Sequence, residues 1–274
     1  MDDFDTSEAS QENENPVEEK LSHSDKFMGI FTEPGKTFEK MSKFSPKTID
    51  WLLPFSILLL VVIVTQFIVL NNSEIYYQVK NKQLQRIEKT MNNAVASGKM
   101  TEKQAKEQMN KIQDKINKSR TTVAKVMQAV GIIIFGFIVF FIVSGVYFLF
   151  SKFVFKGEGT YNSVLVVNGM VSYIWIIQVI IAAIISLLIG KLISDTSLAS
   201  FVNVDKSSFL GFVFEKINPI SIWVYIILSI GLAKMFKSSS TLKYYFMVFG
   251  LWIGWGFLVY IIVQAVPFLK FLAG

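Results

Sequence analysis

Apolar residues in this chain come in long unbroken runs separated by polar, lysine-rich intervals. A helix needs about 20 mostly apolar residues to cross the hydrocarbon core of a bilayer. Five runs qualify: 51–70, 126–150, 164–188, 217–236 and 244–269, and the first two hold no charged residue. Lipid offers no partner to a backbone N–H or C=O, so only helices and closed barrels can cross it. Barrel strands would alternate apolar and polar positions over segments of about ten residues, whereas these runs are continuous. The pattern predicts an all-α, polytopic integral membrane protein with five transmembrane helices.

The intervals carry a different periodicity. Over 71–122, apolar residues recur at helical spacing in Ile75, Val79, Leu84, Ile87, Met91 and Val95, and again in Ala105, Met109, Ile112 and Ile116. The second set, spaced 4, 3 and 4, is a coiled-coil-like seam. Ser97-Gly98 supplies a stop, and Thr101-Glu102-Lys103-Gln104 reads as a capping box. An extramembrane helical hairpin is predicted between spans one and two, its first arm continuing out of span one. Residues 26–50 read as one amphipathic helix on the membrane surface. Lys36, Lys40, Lys43 and Lys47 share one face as candidate lipid contacts, and Phe38 and Met41 lie opposite for burial at headgroup level. Ser45-Pro46 and Asn218-Pro219 read as helix starts, with a cap followed by Pro at the first helical position. Residues 189–216 read as a connecting loop.

Composition adds to this picture mainly by exclusion. Of 274 residues 52% are hydrophobic and 18% charged, where soluble domains carry about 25% charged. Nine acids against one lysine make residues 1–25 strongly acidic in a chain of net charge +6. That stretch has too few apolar residues to offset the entropy of ordering and reads as a disordered tail. No Cys and a single His23 exclude thiolate or multi-histidine metal centres and any Ser–His–Asp set beyond the tail. No catalytic residue, metal or cofactor is expected, and the chain reads as a non-enzyme. The hairpin is basic, but nothing aromatic is interleaved for base stacking, so nucleic acid is not an expected partner. Lys156-Gly157-Glu158-Gly159-Thr160 lacks the Gly-Lys-Ser/Thr of a phosphate loop and reads as a turn capped by Thr160. The expected partners are the bilayer, including anionic lipid, and a second copy or other membrane proteins.

Within the spans, no Asp, Glu or His sits at mid-depth, which argues against ion-coupled transport. Gln178, Asn168 and Gln264 are the polar residues that could line a passive path for a small solute. Ala182, Ser186 and Gly190, every fourth residue, and Gly250 with Gly254 are candidate helix-packing positions. Lysines in the short connections favour a cytoplasmic amino terminus, although the basic hairpin then lies opposite, against the rule.

Gly29-Ile30-Phe31-Thr32-Glu33-Pro34-Gly35-Lys36-Thr37-Phe38 resembles the opening of the Yip-one (Ypt/Rab-interacting) membrane protein family in its bacterial form. Gly157-Glu158-Gly159-Thr160-Tyr161 is similar to that family's Gly-rich turn, and Pro219–Trp223 leading to Gly231–Lys234 resembles its fourth span. The resemblance covers roughly residues 27–268. It implies five spans, a bacterial cytoplasmic (inner) membrane setting and no established activity. The Asp-Leu-Tyr-Gly-Pro segment of the eukaryotic relatives is absent, so no Rab contact is carried over. The expected role is a membrane-organising or partner-binding scaffold, with a passive transporter or channel component as the alternative.

Overall fold

The computed structural model describes residues 20–118, 121–202, 204–205 and 208–265, so most of the acidic stretch lies outside the described residues. Every element described is helical. Two short helices, α1 (His23–Thr32) and α2 (Pro34–Ser42), precede α3 (Ile49–Asn71). A hairpin, α4 (Ser73–Ala96) and α5 (Glu102–Lys118), leads to α6 (Thr122–Leu149), which ends in one wider π-type turn over Phe150–Val154. Then follow α7 (Tyr161–Met170), α8 (Ser172–Ile189), the short α9 (Leu198–Phe201) and α10 (Phe209–Lys216), α11 (Pro219–Met235) and α12 (Leu242–Ala265).

Four stretches are long and apolar enough to cross a membrane unaided: α3, α6 with its wider turn, α7 continued by α8, and α12. The pair α10 and α11, bent by 60°, is long and apolar enough only when taken together, which brings the number to five if it is one span. Contacts at the two ends of the bundle show that α11 traverses it. At one end Lys234 of α11 meets Glu39 of α2, and Lys237 just beyond meets Glu158. At the other, Asn218 accepts from the Thr196 hydroxyl, and Gly190 lies against Glu74 at the root of the hairpin. Four unbroken crossings, and a fifth where the bent α10–α11 pair counts as one broken span, separate a capped end, carrying α1 and α2, from a hairpin end.

Close helix approach depends on particular small residues. A Cβ on Gly169 of α7 would run into the backbone of Trp51, and one on Gly231 of α11 would meet the Phe38 ring at 2.9 Å. Polar residues end the helices by the expected chemistry. Thr101 and Gln104 exchange capping bonds, Thr160 does the same with Ser163, and Asn218 caps Ser221 ahead of Pro219.

Several expectations are corrected. Residues 23–25 belong to α1 rather than to a tail, because Ser22 and Asp25 form a capping box that starts the helix there. The 26–50 segment is two helices broken at Glu33-Pro34, where the missing N–H of proline suits a helix start and not an interior. Ser45-Pro46 does not open α3, which begins at Ile49. The hairpin does not continue α3 either. Asn72 turns to an extended conformation and caps α4 through Glu74 and Ile75. The 189–216 connection contains α9 and α10.

The largest correction concerns what covers the apolar face of the amino-terminal helices. Ile30 and Phe38 are fully buried and Met41 nearly so, in a core shared with Val164, Val167, Leu232 and Phe236. Phe27 and Phe31 stack edge-on against Tyr173 and Trp223. The face expected to enter lipid enters the protein instead, and α1–α2 form a cap over the ends of α7 and α11.

Candidate functional site

The cap is held by charge as well as by apolar packing. Lys26 of α1 donates to Asp50 in the first turn of α3 at 2.6 Å, and both are more than nine-tenths buried. Leaving either ion alone at such a position costs several kcal/mol, so each requires the other. His23 Nδ1 lies 3.5 Å from the second oxygen of Asp50, and its Nε2 is 2.8 Å from the Tyr173 hydroxyl. Polar contacts of α1 thus reach α3, through Lys26 and His23, and α8, through His23. On the outer side, Lys234 donates to Glu39 at 2.6 Å. That hydrogen bond, reinforced by the lysine charge, holds the Glu39 carboxyl below the ordinary glutamate range. Asp25 is likewise lowered, chiefly by the Ser22 hydroxyl and then by the Ser22 backbone N–H, both donating to it.

Where cap, bundle and the 43–48 connection meet lies a small open cleft of about 20 Å³, room for about one water molecule. Lys20, Lys26, Lys40 and Lys47 line it, with Asp50 as the acid among the lining residues and Val166 and Met235 among its apolar walls. Lys20 also sits over the Phe44 ring, 5.5 Å from its centre. Of the four candidate lipid contacts, the structure brings Lys40 and Lys47 together here. Lys36 is turned to Glu33 at 3.0 Å, and Lys43 is exposed at the end of α2, outside the cleft lining.

The candidate packing residues do not form one surface. Ala182 and Ser186 are buried within the bundle, and the Ser186 hydroxyl donates to the Ala182 carbonyl while accepting from the Ile193 N–H. Gly190 ends α8 in the left-handed region at φ 65°, a conformation that suits glycine. Gly250 and Gly254 face open space on α12. Nor do the polar span residues converge. Asn168 donates to Ser144, buried Gln178 accepts from Ser221, and Gln264 is exposed on α12.

A family model for the Yip1 domain matches residues 28–263. The chain belongs to the Yip1 domain family. Among curated proteins and solved structures, none matches it. The Yip1 match takes in α2, the second half of α1 and the crossings, so the cleft lining, Lys20, Leu21 and Lys26 apart, lies within the family's own domain.

His23, Lys26, Asp50 and Tyr173 went unrecognised in the sequence. A local signal existed for two of them. Ser22-His23-Ser24-Asp25 is a capping-box spacing, and an acid adjoining Trp51 at the head of an uncharged run needs a cation close by. Nothing local points to Tyr173.

Proposed function

We propose that this Yip1-domain protein is a non-enzymatic membrane-organising scaffold that binds anionic lipid or protein partners at its capped end. The observation that carries the reading is the two-sidedness of the cap. Its apolar side chains are spent inside the bundle, which leaves Lys36, Lys40, Lys43 and Lys47 on a fixed, outward surface at the membrane boundary. Rigidly presented lysines next to a bilayer gain about 1 kcal/mol each from an anionic leaflet. The capped end is taken as cytoplasmic in a bacterial inner membrane. Lys152, Lys156, Lys234, Lys237 and Lys243 support this, since all lie at that end in or beside short connections, where positive charge orients a protein.

The test is reconstitution of the full chain in phosphatidylcholine vesicles containing a minor labelled anionic lipid, read by energy transfer from tryptophan. Enrichment of the anionic lipid around the protein is expected, and it should fall when Lys36, Lys40, Lys43 and Lys47 are changed together to Gln. An intact protein showing no preference for anionic over neutral lipid would overturn the reading. A passive solute path has less support, because Asn168, Gln178 and Gln264 do not face a common space.

A further inference from the structure

The connection at the hairpin end carries more apolar surface than a loop in water would. We propose that α10 is a half-inserted helix lying in the leaflet at that end, and that its row of Leu210, Val213 and Ile217 is a docking surface for lipid acyl chains. This surface lies opposite the cap and is independent of the scaffold reading.

Patterning comes first. At about 100° per residue, Leu210, Val213 and the C-cap Ile217 fall along one face of α10, and Glu215 falls on the opposite face with Phe212 beside it. Phe212 is buried, whereas Leu210 is 53% and Ile217 47% exposed. The side turned away from the protein is therefore apolar. Its neighbour shows what covers it. The Phe212 ring packs against Tyr260 and Phe257 of α12, each at 5.8 Å between centres, and Phe209 also meets Tyr260. On α12, an unbroken span, Leu258, Ile261 and Ile262 are exposed to the hydrocarbon. The row on α10 continues a surface that lipid already covers.

Depth comes second, and two helices give it separately. Lys234 and Lys243 mark the hydrocarbon edge at the capped end, where an ammonium reaches water. From Lys234 to Pro219, α11 is about 22 Å long at 1.5 Å per residue. Its first turn thus lies about 8 Å short of the far edge of a core of about 30 Å. From Lys243 to Gly256, α12 runs about 20 Å by the same rise. Gly256 is where the Lys216 side chain rests, since a Cβ there would meet its Cε at 2.8 Å. Both measures put the end of α10 that adjoins α11 about 8–10 Å inside the leaflet. Bent by 60° from α11, α10 is about 12 Å long and climbs only about 6 Å toward the surface. Helices that lie in an interface bury their apolar face to a similar depth, about 5–10 Å.

A charge at that depth needs compensation, and Lys216 has it. Its ammonium lies over the Phe212 and Trp252 rings, 5.3 Å from each centre, in the space that Gly256 leaves free. The ring faces attract a cation, and Glu215 and Asp195 act on it with opposite charge. Lys216 thereby holds the inner side of α10 to α12, and the outer row is left for lipid.

The experiment uses the full chain, which has no Cys, reconstituted in vesicles of phosphatidylcholine and phosphatidylglycerol. Single spin-labelled cysteines are placed by Leu210→Cys and Ile217→Cys, both at exposed positions, with Leu258→Cys as the lipid reference and Glu102→Cys as the aqueous one. Power saturation reads collisions with oxygen, which concentrates in hydrocarbon, and with a water-soluble nickel chelate. The Leu210→Cys and Ile217→Cys labels are expected to meet oxygen as the Leu258→Cys label does and to be shielded from nickel. Their depth should come out about 5–10 Å below the headgroups. Nickel access equal to that of Glu102→Cys would put α10 in water and overturn the surface. Shielding from both reagents would put it against protein, a second copy included, and would overturn it as well. Either failure leaves the scaffold reading at the capped end untouched.

Discussion

Removing Asp50 is the sharpest perturbation the cap offers. Asp50→Ala strands the Lys26 ammonium in a site where it is more than nine-tenths buried, and breaking a buried pair in this way costs about 3–5 kcal/mol. Against that stand Ile30, Phe38 and Met41, each contributing about 1.5–3 kcal/mol by burial. The cap should therefore stay down but open far more often, by roughly 10²- to 5 × 10³-fold. Native-state hydrogen exchange in detergent reads this directly, because amides of α1 and α2 exchange through such openings while those of α7 and α11 do not. Replacing both partners, Lys26→Met with Asp50→Leu, removes two desolvated charges and should restore protection to within about tenfold of the parent. The reasoning fails if Asp50→Ala changes cap protection less than fivefold. It also fails if the double variant opens more readily than either single one.

Three further outcomes follow from the geometry. Because its carboxyl is lowered by Lys234, Glu39 contributes to cap docking above the ordinary glutamate range of about 4.3 and loses that contribution as pH falls through its own depressed value. Cap protection should therefore drop in acid, and Glu39→Gln should abolish that drop by weakening docking at neutral pH. Gly169→Ala drives a methyl into the Trp51 backbone and should cost at least about 1–3 kcal/mol in detergent melting, whereas Gly250→Ala meets nothing and should leave the melt unchanged. Since the chain has no Cys, single cysteines at Ser238 and Gly98 should be labelled from opposite faces of a sealed vesicle. Labelling of both from one face would refute the five-crossing topology.

The crossings were legible because hydrocarbon leaves an uncharged apolar run one option. The span from 51 to 70 is α3 within one or two residues at either end. The cap was legible in its periodicity and illegible in its partner. Spacing showed that Phe38 and Met41 oppose the lysines, but lipid and a protein core demand the same apolar face. What decides between them is Gly231, 193 positions beyond Phe38, whose missing side chain admits the ring. The polar contacts of α1 were hidden for a related reason. His23, Asp50 and Tyr173 adjoin only after three crossings have been packed, and each alone is an ordinary polar residue. The small residues misled differently, since Gly190 has the same spacing whether it faces a neighbouring helix or turns the end of its own.

The bond between Glu39 and Lys234 joins positions 195 residues apart. At a synthesis rate of roughly 5–20 residues per second, α2 leaves the ribosome about 10–40 s before the surface it will rest on exists. Throughout that interval its oily side is bare. The nascent chain must park this segment somewhere, against a chaperone or the leaflet itself, and surrender it once α11 has threaded through. Docking of α2 is thus one of the last events of assembly, and a ribosome halted before Pro219 should display it still undocked on that side.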